Sequence, residues 1–411
     1  MDTKKKYAKY INYKLMKMLG FYQLLNPKES YTVLGYNFYQ FLYVFPILIE
    51  LIIIGFGVIG LYYWMNDISV CTQLLLVMSP CFAIICMAIR FAQKYHALKE
   101  CFEVTKEDFL SDDNYSRAIY DSYKKICIKV TNIFALSWFF VWVAWITSPI
   151  LIVEYPAKNL EGELLIYRNN VLNVMFSLIP VAHYNNLYEL FYTLEVISVS
   201  HIMTSYVVYE TLLITFCWMI SAQLKTVASK YSAFGHDTSL TTDTQDNEPT
   251  ETDKLVKIIS DHQRVIKVMN TFYDIAKPLS IIQIGINAII FIICTYMIVL
   301  NYFDGSPVLS IASIKWMSSA LIIMFHLFTY CYFFGYLDDQ KKSINFSLYS
   351  SNWFQEDIGF KKLVLLAMTM NNAINNTSIK LSPIKIVNLE LFSSVMHTSY
   401  SIVSVFAKKS R

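Results

Sequence analysis

The closing stretch of the chain, SPIKIVNLELFSSVMHTSYSIVSVFAKKSR over residues 382–411, is long enough from Ile384 to Ala407 to cross a bilayer. Placed on a helix at 100° per residue, Glu390, Ser394, His397, Ser401, Ser404 and Lys408 fall within about 40° of one line. The rest of the circumference carries Leu389, Val395, Ile402 and Phe406. An ionisable group at the bilayer centre costs about 2.5–3.5 kcal/mol on insertion scales, so this stripe has to face protein or water. Bond-making chemistry has no comparable support. There is no HExxH, no HxxxxD and no histidine cluster, and the seven histidines are scattered. The eight cysteines form no CxxC pair or other zinc-like spacing. Neither an enzyme nor a resident cofactor or metal is expected.

The elements that would hold such a stripe are legible in the composition. The 411 residues are 55% hydrophobic and 16% charged, with a mean hydropathy of +0.40. A soluble chain carries about 25% charged residues, so the excess marks an all-α protein of the lipid bilayer. Apolar runs of spanning length occur at 38–64, 70–92, 128–153, 187–222, 278–303 and 308–337, and 384–407 is the seventh candidate. The fourth run exceeds one bilayer thickness and is expected to project beyond it. Pro46 suits a kink in the first span, and Pro278 suits the first turn of the fifth. The net charge of +3 is dispersed and points to no nucleic-acid partner.

Charge sets the expected orientation. With seven transmembrane helices, the N-terminus and loops two, four and six lie on one side, holding seven, eight, seven and five Lys or Arg. The other side has only Lys158, Arg168, Lys315, Lys408, Lys409 and Arg411. The positive-inside rule then predicts a cytoplasmic N-terminus and an extracellular C-terminus, which excludes a G-protein-coupled receptor. The sequons at Asn114, Asn345, Asn375 and Asn376 all fall on the cytoplasmic side.

The expected organisation is a cytoplasmic segment 1–37, four spans within 38–222, a loop 223–277, two spans within 278–337, an anchor region 338–383 with a short helix, and the last helix at 384–411. Within the loop, SAFGHDTSLTTDTQDNEPTETD at 232–253 is polar, acidic and poor in apolar residues, as disordered inserts are. The outer loop from Glu154 to Asn186 mixes charges with apolar patches and suits a lid over the outer mouth. The polar stripe itself admits three settings: packed against other helices of a monomer, lying flat at the membrane surface, or facing water along an axis shared by several subunits.

The run CYFFGYLDDQKKSINFSLYSSNWF, then KKLVLLAMTM and FSSVMHTSYSIVSVF, resembles the C-terminal signature of insect odorant receptors. The matching residues are Tyr330-Cys331 closing span six, Trp353, the basic-apolar helix 361–370 and Ser399-Tyr400-Ser401 in the last helix. YETLLITFCWMISAQLKTVASKY is similar to the family's fourth span. The stretch TMNNAINNTS departs from the family's Arg-Ser-Gln-Lys-Pro-like pattern, which weakens the carry-over to loop six and leaves the last helix intact.

The resemblance implies an odorant-gated, non-selective cation channel in the plasma membrane of a sensory neuron, assembled as a tetramer with shared co-receptor subunits. The last helix would line the pore through Ser394, His397, Thr398, Ser401 and Lys409, with Val405 as an aliphatic gate. It also implies a pocket for a volatile hydrophobic molecule in the outer halves of spans two, three, four and six. Span three offers Trp138, Val141, Trp142 and Trp145, which present apolar and π surface with few torsions to freeze. Tryptophan is equally at home at membrane interfaces and helix contacts. Facing candidates are Leu75 and Met78, Ile197 and His201, and Met317 and Met324. Glu50 and Glu210 lie at membrane depth and are assigned protonated or hydrogen-bonded structural roles, being placed near neither pore nor pocket; His326 is also taken as structural. A gustatory-receptor-type channel is the nearest alternative. A transporter is disfavoured by the absence of internal repeats or paired broken helices.

Overall fold

The structure is a computed structural model describing residues 17, 32–33, 36–110, 114–174, 179–234, 250–303, 305 and 310–409. Six helices among the described residues are long and apolar enough to cross a membrane. They are α1 (Phe38–Tyr63), α2 (Ile68–Gln93), α3 (Asn114–Leu151), α4 (Tyr188–Ala233), α5 (Glu251–Phe303) and α6 (Ile311–Tyr349). Two further helices follow, α7 (Ile358–Asn375) and α8 (Leu389–Lys409).

The bundle is organised around α4, which packs on α1, α2, α3, α5 and α6 and is buried almost all round. That placement accounts for its sequence: a helix surrounded by protein needs no polar face, so the apolar residues of α4 show no single-sided period. By contrast α1 and α3 leave large apolar side chains outward, among them Leu48, Ile52, Phe139 and Phe140. Such a surface is stable against acyl chains and not against water.

Helix ends depart from the expected spans where capping chemistry overrides hydropathy. Residue Pro278 does not open the fifth helix. That helix begins at Glu251, where Thr250 and Asp253 form a reciprocal cap: the Asp253 amide donates to Thr250 Oγ1 at 3.2 Å, and the Thr250 amide donates to Asp253 Oδ2 at 3.1 Å. Pro278 therefore sits inside a continuous helix of 53 residues, about 80 Å long. The fourth helix does outrun the hydrocarbon core, its 46 residues making about 69 Å against roughly 30 Å. Helix α3 starts at Asn114, so the basic residues Arg117, Lys124 and Lys125 assigned to loop two are helical. Of the insert expected at 232–253, residues 235–249 lie outside the described residues, and both flanks belong to helices. The last helix starts at Leu389 rather than 384. Pro383 lies in a tight reversal in which Lys380 bridges Ile386, and Asn388 Oδ1 accepts from the Leu391 amide at 3.1 Å to cap α8. Most of segment 1–37 also lies outside the described residues.

The described residues of the loop from Glu154 are folded. Strands β1 (Glu154–Lys158) and β2 (Leu164–Arg168) pair antiparallel, and the α2 cap residue Asp67 accepts from the Lys158 amide at 3.0 Å. Beyond β2 the chain enters the bundle. Glu195 of α4, wholly buried, gathers the amides of Leu172, Asn173 and Val174 at 2.6, 3.2 and 3.4 Å. Asn173 takes the left-handed conformation, φ 57°, that aims these successive N–H groups at one anion. The Gln73 amide of α2 adds a bond to the Leu172 carbonyl, and Tyr155 donates to Gln73. Residues 175–178 lie outside the described residues.

Candidate ligand cavity and the terminal helix

Beneath the folded loop, α2, α3, α4, α5 and α6 converge around a cavity of about 90 Å³. Leu172 closes it from the loop side. Of the expected pocket residues, Trp138, Val141 and Trp145 line it. The spacing explains the trio: three, four and seven residues apart on one helix put them on one face. Each indole N–H is engaged. Trp138 donates to His326 Nε2 at 2.7 Å, Trp145 to Ser319 Oγ at 3.2 Å and Trp142 to Ser200 Oγ at 3.1 Å. That last bond turns Trp142 toward α4, and it does not line the cavity. The cavity is thus walled by aromatic rings whose polar edges are already paired, which leaves their apolar faces for contact.

The other expected residues fall on a different face of their helix from the cavity. Leu75 points outward while Leu76 and Val77 line it; Ile197 points outward while Val199, Ile202 and Met203 line it. Met317 is exposed and Met324 sits off the lining, their places taken by Ser319, Ile322 and Ile323. One residue is 100° of rotation, so small errors in helix phase exchange lipid-facing for cavity-facing side chains. Met78 instead fills the close approach to α1, where a Cβ on Gly57 would lie 2.5 Å from its sulfur. α5 supplies Asn287 and Ile290, which the sequence reading left out altogether. A polar residue in an otherwise apolar run was the available signal for Asn287.

The membrane-depth ionisable residues are paired, and two assignments change. His201 does not line the cavity; its Nδ1 lies 2.7 Å from Glu50 Oε1, joining α4 to α1. His326 does line it. An indole N–H can only donate, so His326 Nε2 accepts from Trp138 and its proton resides on Nδ1, 3.9 Å from Glu210 Oε1. Tyr330 donates to the same Glu210 oxygen at 2.6 Å. Glu50 and Glu210 are therefore hydrogen-bonded, and each lies nearer the expected pocket than the sequence reading placed it: Glu50 on a pocket candidate, Glu210 one side chain behind the cavity wall.

α8 packs on α5 and α6 through Leu391, Ser399 and Val403, the face opposite its polar stripe. His397, Thr398, Ser401 and Val405 are exposed and Ser394 is half-buried. Among the described residues, little packs over Glu390, His397, Ser401 and Lys408 of the stripe. Thr398 donates to the Ser394 carbonyl at 2.8 Å and Ser401 to the His397 carbonyl at 3.0 Å, so their O–H groups are satisfied within the helix while oxygen lone pairs stay outward. The side chains of Phe406 and Lys409 lie outside the described residues.

Helices of spanning length thus surround a small apolar cavity beneath a folded loop. The 7tm Odorant receptor family model matches residues 64–400, and the chain belongs to that family. Among solved structures it is similar to the insect olfactory receptor OR5 from Machilis hrabei, with a TM-score of 0.73 and 12% identity over 96% of this chain and 97% of that one. The same receptor in complex with eugenol matches with a TM-score of 0.73 and 13% identity over 97% and 98%. No curated protein sequence matches.

Proposed function

We propose that this protein is an odorant receptor subunit whose cavity takes a small volatile organic molecule and whose α8 lines a cation pathway. The observation that carries this reading is the cavity: apolar walls at the junction of five helices, covered by a loop tied down through Glu195, with most of its polar groups already paired. A site of this kind favours a ligand with little hydrogen-bonding capacity. The similar receptor from Machilis hrabei has a structure in complex with eugenol, a molecule of that size and character, and this supports the same use here.

The outward polar face of α8 supports the second half. A hydroxyl- and imidazole-bearing stripe at membrane depth is stable where it meets water, and several copies around one axis provide that water. In this reading the N-terminus is cytoplasmic, the protein sits in the plasma membrane, and four chains, this one together with shared co-receptor subunits, surround the pore. Ser394, His397, Thr398 and Ser401 line it, Lys409 lies at its end and Val405 forms a constriction that dewets when closed. Co-expression with a co-receptor and current recording under a panel of volatile organics tests it. A ligand-evoked cation current is expected; silence under every ligand, with the protein at the cell surface, would remove the channel reading. A current without a partner subunit would point to a self-sufficient homomer of the gustatory-receptor type.

A further inference from the structure

Asn287 is the residue in the cavity wall that the wall itself does not explain. It is 2% exposed, and its Nδ2, shielded from solvent, has no hydrogen-bond partner among the described residues. Its neighbours on α5, Ile284 and Ile290, are buried apolar residues, so nothing nearby on that face relieves it. Gln283, one turn earlier, shows the ordinary arrangement: Tyr206 donates to its Oε1 at 3.4 Å, and its Nε2 reaches Met87 Sδ at 3.9 Å. Ser319, His326 and Tyr206, the other lining side chains with a hydroxyl or imidazole, are engaged by Trp145, Trp138 and Gln283. An unpaired buried amide is destabilising relative to a paired one, a cost that an apolar residue of the same size would avoid.

We infer that Asn287 is the specificity-determining residue of the cavity, donating a hydrogen bond to a ligand that carries one acceptor oxygen on an otherwise hydrocarbon frame. The inference rests on the reading of this cavity as the ligand site and narrows it. A half-turn of the amide exchanges its oxygen and nitrogen, so the side chain can present a donor to the cavity from either setting. The aromatic and aliphatic remainder of the lining recognises the hydrocarbon part by shape, while the Asn287 donor sets where the oxygen must lie. A site that leaves a buried donor unmet discriminates against the analogue lacking the oxygen more sharply than an apolar wall discriminates by size.

The test uses purified full-length protein and isosteric pairs in which a carbonyl oxygen is replaced by a methylene: cyclohexanone with methylenecyclohexane, 2-heptanone with 2-methyl-1-heptene, and acetophenone with α-methylstyrene. Apparent affinity is read from the ligand-dependent rise in melting temperature, which requires neither a partner subunit nor a working pore. The quantity compared is the ketone-to-alkene affinity ratio in the wild type divided by that ratio in Asn287→Leu, so that differences in water solubility cancel. A quotient of about tenfold is expected for the pairs that bind. A quotient of one, as a water held by the amide or a purely structural asparagine would give, overturns the inference and leaves the cavity reading standing. Failure of every pair to stabilise the wild type overturns the cavity reading as well. Asn287→Ala serves the same comparison should leucine overfill the site and prevent folding.

Discussion

Phe328 of α6 meets Phe392 of α8 edge to face, with ring centroids 5.7 Å apart and planes at 82°. Two residues before Phe328 on the same helix, His326 is part of the cavity wall. A rigid helix therefore presents one residue to the cavity and another to the base of the terminal helix. A shift of α6 that accommodates a ligand has to be taken up at that aromatic contact. Phe392→Ala is expected to lower the maximal ligand-evoked current while leaving ligand-induced thermal stabilisation unchanged. Equal losses in both would assign Phe392 to general packing instead.

Val405 is 66% exposed, so among the described residues of one protomer little packs against it. In an assembly with α8 at the axis, copies of this side chain would close the path. Val405→Ser should raise the current at rest several-fold without shifting the ligand concentration for half-maximal response. An unchanged resting current would place the constriction elsewhere.

The three tryptophans of α3 separate cleanly. Trp138→Phe removes the N–H that His326 accepts and shortens the cavity wall, and a shift of about three- to tenfold in ligand sensitivity is expected. Trp142→Phe loses a bond to Ser200 away from the cavity, and its shift should stay within about twofold. Dose–response curves under one set of conditions compare the two. The reverse order would reassign the pocket.

Glu195 is a single carboxylate holding three consecutive amides of the covering loop. Hydrogen bonds to a charged acceptor contribute about 1.5–3 kcal/mol each where buried. Glu195→Gln keeps the shape but accepts through one oxygen only. It should loosen the segment around Leu172, seen as faster protease cleavage between residues 154 and 186 and a lower melting temperature. Cleavage at the wild-type rate would mean that Asp67 and Gln73 secure the loop without it.

Topology has its own check. Epitope tags at Met1 and after Arg411 should stain differently on intact cells, the C-terminal one accessible and the N-terminal one only after permeabilisation.

Long apolar runs make most of the fold legible in the sequence. Runs of twenty or so apolar residues leave few alternatives to a helix in lipid. Where hydropathy ends but the helix continues, as from Glu251 to Pro278, the signal is a different one, the Thr250–Asp253 cap, and the proline is accommodated inside the helix. The α3 side of the cavity was legible because its tryptophans mark the inward face themselves. The α2, α4 and α6 sides were not, because those helices are apolar on more than one face and nothing local separates Leu75 from Leu76. Pairings such as Glu50 with His201, 151 residues apart, are set by how helices are arranged in three dimensions. No periodicity within either segment encodes them.

That pairing carries a consequence for the first helix. α1 is greasy on nearly every side, so surrounding acyl chains give it little reason to prefer one azimuth over another. The bond from Glu50 to His201, together with the buried Ile49 and Ile53 and the seat of Met78 in the notch at Gly57, supplies the preference. A polar contact thus helps key the rotational setting of a whole transmembrane segment. A variant that breaks it would not detach α1 but let it swivel, blurring the wall of α2 that stands between it and the cavity.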